Sequence, residues 1–246
     1  MAATQKNWTI LENNPEVMNK LKKLLGLSDD LEFYDVWSLD DPELLAHIPR
    51  PAHALLVIIP LTKAWDEERK AEDANKEDYT GAGEGEPVIW FKQTIGNACG
   101  SIGLLHSVIN GPASKYILPG SDFEKLRRDA IPLKMDERAQ MLYDSQSFED
   151  AHAAVANLGD TVPPTPEVGH HVGGHFVSFV KADDGNIWEL EGSRKGPINR
   201  GVLAADEDVL SPKALELGLK RVIKLVQDAG IDDLRFSCTV LAPKAS

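Results

Sequence analysis

The chain has 246 residues, 42% of them hydrophobic and 26% charged, which is the composition of one globular domain with a substantial core. Its formal net charge of −13 argues against nucleic acid or an anionic membrane as the main partner. No apolar run comes near the roughly 20 residues that a membrane-spanning helix needs, and the start of the chain lacks the apolar stretch of a secretory signal.

The first predicted elements are a helix and a buried strand. Asn14 and Pro15 supply an N-cap and a first-turn proline, so a helix begins there. Residues 54–59 are continuously apolar, which is typical of a central strand covered on both faces.

Residues 66–86 differ in character from the rest of the chain. Acidic and basic side chains crowd together at 66–78, and three glycines follow. Such a segment predicts a solvated helix that continues into a flexible loop. We therefore expect an acidic surface insertion without a catalytic role.

A cysteine lies where a polar, glycine-containing segment becomes a helix. Apolar residues recur at helical spacing between Ile102 and Ile109, so Cys99 falls in the first turn. Unpaired N–H groups and the helix dipole favour a thiolate there. Gln93, six residues earlier, can offer a side-chain N–H to an oxyanion beside the Cys99 backbone N–H. The same pattern suits a small buried thiol equally well.

Residues 145–169 form a long polar connection with one helix-like stretch at 148–158. Connections of this length are usually functional or disordered. His170 and His171 follow and, with His175, form the pattern H-H-x-x-x-H. Neither an H-E-x-x-H nor a C-x-x-C pattern accompanies it. We therefore expect no metal and no other cofactor.

His175 and Glu191 frame a predicted hairpin. A cysteine nucleophile needs a base, for which His175 is suited, and an acceptor such as Glu191 that orients the base. A three-residue turn centred on Asp183 would set the two directly opposite, whereas a two-residue turn at 184–185 would set His175 opposite Arg194. The sequence leaves both registers open. Taken singly, the two residues also suit an ordinary strand-edge histidine and a solvated carboxylate.

The end of the chain predicts a helix and a last strand. Pro212 begins a long amphipathic helix that closes at Gly230. Residues 235–241 alternate, which makes Cys238 an inert residue on the buried side of a strand. A disulfide to Cys99 would consume the candidate nucleophile, so we expect reduced thiols and a cytoplasmic location, with the nucleus as an additional location.

Several of these segments together resemble one family. Residues 92–104, with the sequence K-Q-T-I-G-N-A-C-G-S-I-G-L, resemble the catalytic segment of the ubiquitin carboxyl-terminal hydrolases. His175-Phe176 and residues 188–192 resemble the histidine strand and the acidic strand of that family. Further matches lie at 11–17, 41–45, 49–51, 197–201 and 233–236. The resemblance covers nearly the whole chain.

The resemblance implies one catalytic domain over residues 1–246. Its fold would be α/β, that of a papain-like cysteine peptidase, with a central antiparallel β-sheet flanked by helices and a knotted backbone. The segment at about 145–169 would be the crossover loop of the family, which passes over the active site and limits the size of the leaving group. The chain resembles the short, single-domain members without a proteasome-binding tail.

The resemblance also implies roles for single residues. Cys99 would attack the carbonyl after the C-terminal glycine of ubiquitin, with His175 as base and then acid. Gln93 and the Cys99 N–H would hold the oxyanion. Glu191 would orient His175, although the family carries aspartate at this position.

Three acidic residues match positions that receive the arginine-rich tail of ubiquitin in the family: Glu12, Glu16 and Asp35. The chain is thus expected to be a monomeric deubiquitinating thiol hydrolase that cleaves small adducts or short extensions from ubiquitin. Two alternatives remain open. One is a ubiquitin-binding module that sequesters ubiquitin with little turnover, and the other is a hydrolase for another ubiquitin-like modifier.

Overall fold

The structure, a computed structural model, describes residues 6–159, 174–231 and 235–245. The strands are β1 (Leu31–Asp35), β2 (Ala54–Pro60), β3 (Gly174–Lys181), β4 (Asn186–Leu190), β5 (Ile198–Val202) and β6 (Ser237–Pro243). The α-helices are α1 (Pro15–Leu25), α2 (Pro42–Leu45), α3 (Lys63–Ala74), α4 (Cys99–Ile109), α5 (Asp122–Ala130), α6 (Met135–Tyr143), α7 (Gln146–Val155), α8 (Pro212–Leu217) and α9 (Leu219–Asp228). A 3-10 helix spans Gly111–Tyr116.

The strands form one six-stranded sheet in the order β1-β6-β2-β3-β4-β5, and each described pair is antiparallel. β2 lies inside the sheet, as its continuous apolar run predicts. Leu56 packs into the core on one face, whereas Leu55 and Val57 pack into a second core on the other. Alternate residues of a strand point to opposite faces, so both faces of β2 are covered.

Helices form a layer on each side of the sheet. One core joins it to α1, α4, α5, α6 and α7 through residues such as Met18, Leu105, Phe123, Leu142 and Phe148. The other core joins it to α3, α8 and α9 through Trp65, Leu215, Leu219 and Val222. The prediction of an α/β fold with a central antiparallel sheet flanked by helices is confirmed. Among the helices of the described ranges, none is long and apolar enough to cross a membrane.

The connection predicted at 145–169 is partly helical. Ser145 caps α7 by accepting a hydrogen bond from the Phe148 N–H, and α7 buries Phe148, His152 and Val155 in the core. Residues 146–155 therefore belong to the helical layer. Residues 160–173 lie outside the described residues, so the crossover loop and the knotted backbone stay predictions.

The prediction that residues 66–86 are solvated is wrong for the side that faces the sheet. Trp65, the residue directly before this segment, is only 2% exposed. Glu72 forms ion pairs with Arg194 and Arg200, the latter at 2.6 Å between Oε1 and Nη1. Burial alone would raise the pKa of Glu72, but the hydrogen bonds from Arg200 and Arg194 hold it at about 2. Two arginines more than 100 residues away in sequence thus form ion pairs with the Glu72 carboxylate.

The end of the same segment carries a second buried pair. Arg138 of α6 donates to both carboxylate oxygens of Glu86, and the side chains are 0% and 5% exposed, respectively. Arg138 also donates from Nε to the Ala130 carbonyl at 2.8 Å. The pair therefore ties the loop before α4 to the end of α5 and the first turn of α6.

We expect Glu86→Ala to lower the free energy of unfolding by about 3–5 kcal/mol, because it leaves the Arg138 guanidinium buried without its carboxylate. Urea unfolding at neutral pH measures this loss. Glu84→Ala is the matched control, since Glu84 lies two residues away and is exposed. Equal unfolding midpoints for the two variants would contradict a structural role for the pair.

Candidate active site

Cys99 is the first residue of α4, and Gly100 to Ile109 are all buried. Asn97 turns the chain into the helix with φ of 59°, a left-handed conformation that asparagine tolerates, and donates from Nδ2 to the Trp8 carbonyl at 3.0 Å. Ala98 gives the helix no side-chain cap. The half-buried Cys99 thus lies at the positive end of a buried helix, and no side chain of the described residues caps its first N–H groups.

Close helix–sheet packing brings this thiol to β3. A Cβ at Gly103 would lie 2.7 Å from Cδ1 of Leu56, and one at Gly100 would lie 3.2 Å from the Phe176 ring. The two glycines allow this close approach, because a larger side chain at either position would require Leu56 or Phe176 to shift. Phe176 follows His175 directly, so Cys99 and His175 meet at this point.

The register of the β3–β4 hairpin differs from both sequence alternatives. Ser178 pairs with Leu190, and the turn comprises residues 183–185. The turn centred on Asp183 would give Ser178 a partner two residues before Leu190 in the chain. The 184–185 turn would give it a partner one residue after Leu190. Continued along the strands, the observed register sets His175 opposite Ser193.

Glu191 therefore reaches His175 diagonally. It follows the last residue of β4, and its Oε1 lies 2.5 Å from Nε2 of His175. Diagonal positions on neighbouring strands are about 7–8 Å apart, a gap that longer side chains can bridge. The extra methylene of glutamate relative to aspartate suits this geometry.

Glu191 is held by donors on both carboxylate oxygens. Oε1 also accepts the Ser193 N–H at 2.7 Å and the Ser193 Oγ–H at 2.6 Å. Oε2 accepts a hydrogen bond from Nη1 of Arg69 at 3.1 Å. The side chain of Glu191 is 0% exposed, so these contacts fix a buried anion.

The charges of the site stabilise an imidazolium beside a thiolate. Burial lowers the pKa of His175, but the negative charge of Glu191 and the hydrogen bond with Cys99 raise it to about 10. Burial raises the pKa of Cys99, but the hydrogen bond with His175 and those from the Phe176 and Gly100 N–H groups bring it below its ordinary value. Because Nε2 of His175 is bound to Glu191, Nδ1 is the nitrogen left for the thiol.

Hydrogen bonds anchor Gln93 next to the residues that follow β4. Its backbone N–H donates to the Gly192 carbonyl at 2.7 Å, and its side-chain Nε2 donates to the Ile95 carbonyl at 3.1 Å. Its buried Oε1 has no hydrogen-bond partner among the described residues. The amide is thus fixed between the residues that precede Cys99 and the residue that follows Glu191, whereas its role towards an oxyanion stays a prediction.

The predicted substrate-binding acids lie near the start of α1 and the end of β1. Glu16 is exposed in the first turn of α1, and Glu12 and Asp35 are half-buried. Burial raises the pKa of Asp35, although the charge of His47 opposes this effect. Their role in binding stays a prediction.

Sequence reasoning missed two residues on α3. The Trp65 ring lies 6.1 Å from the His175 ring, measured between centroids, and the Arg69 guanidinium carbon lies 4.8 Å from the Trp65 centroid. An isolated tryptophan within a charged segment was the available signal for Trp65. Nothing distinguished Arg69 from the charged residues around it.

The described residues contain no cluster of three or more histidine, cysteine, aspartate or glutamate side chains that could hold a metal ion. His170 and His171, the first two histidines of the H-H-x-x-x-H pattern, lie outside the described residues.

Comparisons with known proteins agree on one family. The model of the family described as ubiquitin carboxyl-terminal hydrolase, family 1, matches residues 8–224. Ubiquitin carboxyl-terminal hydrolase 3 of Arabidopsis thaliana is 33% identical over 244 residues, which cover 99% of this chain and 97% of the relative. Ubiquitin carboxyl-terminal hydrolase isozyme L1 of Homo sapiens is 32% identical over 235 residues, which cover 96% and 98%, respectively.

Solved structures show the same fold. The catalytic domain of Trichinella spiralis UCH37, crystallised with ubiquitin vinyl methyl ester, superposes with a TM-score of 0.73 at 20% identity, over 98% of this chain and 97% of that domain. A second crystal structure of Trichinella spiralis UCH37 with the same probe gives a TM-score of 0.68, also at 20% identity, over 96% of this chain and 82% of the other.

Proposed function

Because the chain belongs to the ubiquitin carboxyl-terminal hydrolases, family 1, we propose that it cleaves small adducts or short extensions from the C-terminal glycine of ubiquitin. The observation that carries this proposal is the position of the His175 imidazole, which binds Glu191 at 2.5 Å and forms a hydrogen bond with the Cys99 thiol. The family is one of cysteine peptidases, and this arrangement supplies the nucleophile, the base and the orienting acceptor that such a peptidase needs.

The reaction proceeds through an acyl-enzyme. The Cys99 thiolate attacks the carbonyl carbon of the last glycine, and the Cys99 N–H and the Gln93 side chain stabilise the oxyanion. The imidazolium of His175 gives its proton to the leaving amine, which leaves a thioester on Cys99. His175 then takes a proton from water, which attacks the thioester and releases ubiquitin, while Glu191 keeps the imidazole oriented.

The residues after α7 limit the size of the leaving group in this proposal. We expect the enzyme to act as a monomer in the cytoplasm, where Cys99 and Cys238 remain the free thiols seen in the structure.

A substrate panel tests the proposal. The protein should hydrolyse a fluorogenic C-terminal amide of ubiquitin faster than the amide of a ubiquitin-like modifier, and faster than a peptide amide carrying only the ubiquitin tail. Ubiquitin binding without hydrolysis would instead assign a sequestering module, and faster turnover of the other modifier would assign that substrate. Cleavage of folded di-ubiquitin as fast as the small amide would contradict the size limit.

Gln93→Ala should lower kcat for the ubiquitin amide by about 10²–10³-fold, the usual cost of losing one oxyanion donor. KM should change little, because the donor acts on charge that develops in the transition state. Steady-state kinetics measure both constants. A rise in KM at constant kcat would place Gln93 in ground-state binding instead.

Neutralising Glu12, Glu16 and Asp35 together, to Gln, Gln and Asn, should raise KM and weaken its dependence on salt. Acidic side chains facing a basic tail speed association, and salt screens that attraction over about 8 Å at physiological ionic strength. Kinetics on the ubiquitin amide at several salt concentrations measure the effect. The control variant makes the same charge change at three exposed acids elsewhere: Glu77, Asp78 and Glu84. Equal KM and equal salt dependence for the two variants would contradict the binding role.

A further inference from the structure

Arg69 of α3 binds the carboxylate that orients His175. Its Nη1 donates to Oε2 of Glu191 at 3.1 Å, and its Nη2 donates to Oδ1 of Asp66 at 2.8 Å. Its guanidinium also lies over the Trp65 ring, 4.8 Å from the centroid. The planar guanidinium is therefore held by hydrogen bonds from both of its terminal nitrogens and by the Trp65 ring on one face.

Glu191 needs such a partner. Its side chain is 0% exposed, and a buried carboxylate is stable only when cations and hydrogen-bond donors surround it. Oε1 receives His175 and Ser193, and Arg69 is the donor to Oε2 in the described part of the chain. A glutamate has one more torsion to immobilise than an aspartate, so the contact at Oε2 acts together with the Ser193 donors to fix where Oε1 points.

We propose that Arg69 is a positioning residue, which holds Glu191 so that its Oε1 faces Nε2 of His175. The inference deepens the proposed function and rests on it, because it concerns the same reaction. It also gives a role to a helix whose charge pattern predicts only a solvated surface.

In the described part of the chain, the charged and titratable groups that interact with Glu191 are Arg69 on α3, His175 on β3 and His106 on α4. Asp66 binds Arg69, and Cys99 binds His175. Burial lowers the pKa of His106 to about 3, so this residue stays neutral near Glu191. Arg69 and the His175 imidazolium are thus the cations that neutralise the carboxylate. Without Arg69, Glu191 loses its orientation, and His175 holds its proton less tightly.

Three variants test the proposal on the ubiquitin amide. Arg69→Ala should lower kcat by about 10–100-fold at unchanged KM. Losses of this size are found when a residue that orients a metal-binding side chain is removed, and Arg69 orients Glu191 in the same way. Arg69→Lys should lie between wild type and Arg69→Ala, because lysine keeps the charge but lacks the planar fork. Lys70→Ala should match wild type, since Lys70 is the next residue, pairs with the same Asp66 and is 73% exposed.

A second readout needs no ubiquitin. The rate of Cys99 alkylation by iodoacetamide reports the thiolate, and peptide mass spectrometry separates it from Cys238, whose pKa burial raises to about 12. In Arg69→Ala the acidic limit of fast alkylation should move to higher pH, because a less stable imidazolium stabilises the Cys99 thiolate less. The acidic limit should move less in Arg69→Lys, and it should stay at the wild-type pH in Lys70→Ala.

The two readouts separate the possible failures. A wild-type alkylation profile in Arg69→Ala would overturn the positioning role, even if kcat fell together with the melting temperature. An acidic limit at lower pH would overturn it as well, because Arg69 would then act only by repelling the imidazolium. If wild type fails to hydrolyse the ubiquitin amide but the alkylation profiles differ as expected, the proposed substrate is wrong and the role of Arg69 stands.

Discussion

Cys99→Ser is expected to reduce turnover of a ubiquitin C-terminal amide by roughly 10⁴-fold or more, the scale on which loss of a catalytic nucleophile acts. A serine hydroxyl does not ionise beside His175, whereas the hydrogen bonds from His175, Phe176 and Gly100 stabilise the thiolate of Cys99. Ubiquitin affinity should stay within a few-fold of wild type, because binding energy comes from contacts away from the thiol.

Steady-state kinetics and titration calorimetry with ubiquitin measure the two effects separately. Cys238→Ser is the matched control, since Cys238 is a free thiol whose pKa burial raises. It should retain wild-type turnover. Full activity in Cys99→Ser, or loss of activity in Cys238→Ser alone, would contradict the assignment of the nucleophile.

Glu191→Ala is expected to lower kcat by about 10³–10⁴-fold while ubiquitin binding is spared, in line with loss of the acid from a catalytic triad. The substitution leaves the His175 ring without its 2.5 Å partner. The pH profile should change in a defined direction. The charge of Glu191 raises the pKa of His175, so its removal lowers that pKa towards the ordinary value of 6.5 and moves the basic limb of kcat/KM to lower pH.

Glu191→Asp tests the length of this side chain separately from its charge. Aspartate keeps the charge but is one methylene shorter, and from a diagonal position it does not reach His175 and Arg69 together. We expect partial activity below that of wild type. Glu216→Ala removes an exposed glutamate and should behave as wild type. A wild-type kcat and pH profile in Glu191→Ala would mean that another residue orients His175.

The nucleophile helix could be predicted from the sequence because its determinants are local. The polar segment up to Ala98 and the apolar spacing after Cys99 set the first turn of α4, and the structure begins the helix at Cys99. The burial of β2 followed from its own composition in the same way. Local patterns of this kind need no knowledge of distant partners.

The hairpin register depended on turn geometry that the sequence left open. The turn comprises residues 183–185, with Gly185 at φ of 79° in its last position. Asp184 accepts the Asn186 N–H at 2.9 Å and so stabilises the return of the chain. A glycine at the left-handed position of a three-residue turn was the available signal.

The role of α3 and the break between α8 and α9 depend on contacts distant in sequence. Arg69 and Glu191 are 122 residues apart, and no local pattern links them. The single helix predicted from Pro212 to Gly230 is wrong, because Gly218 separates α8 from α9. A Cβ at Gly218 would lie 3.1 Å from the Phe179 ring, so the break lies where the chain passes close to β3.

The most direct test of the central claim, that Cys99 acts on the C-terminus of ubiquitin, is the reaction of the wild-type protein with ubiquitin vinyl methyl ester. Mass spectrometry should show one probe added per protein and, after digestion, the adduct on Cys99. Cys238, the other thiol of the chain, should remain unmodified. A protein that stays unlabelled, or that carries the probe on Cys238, would contradict the account.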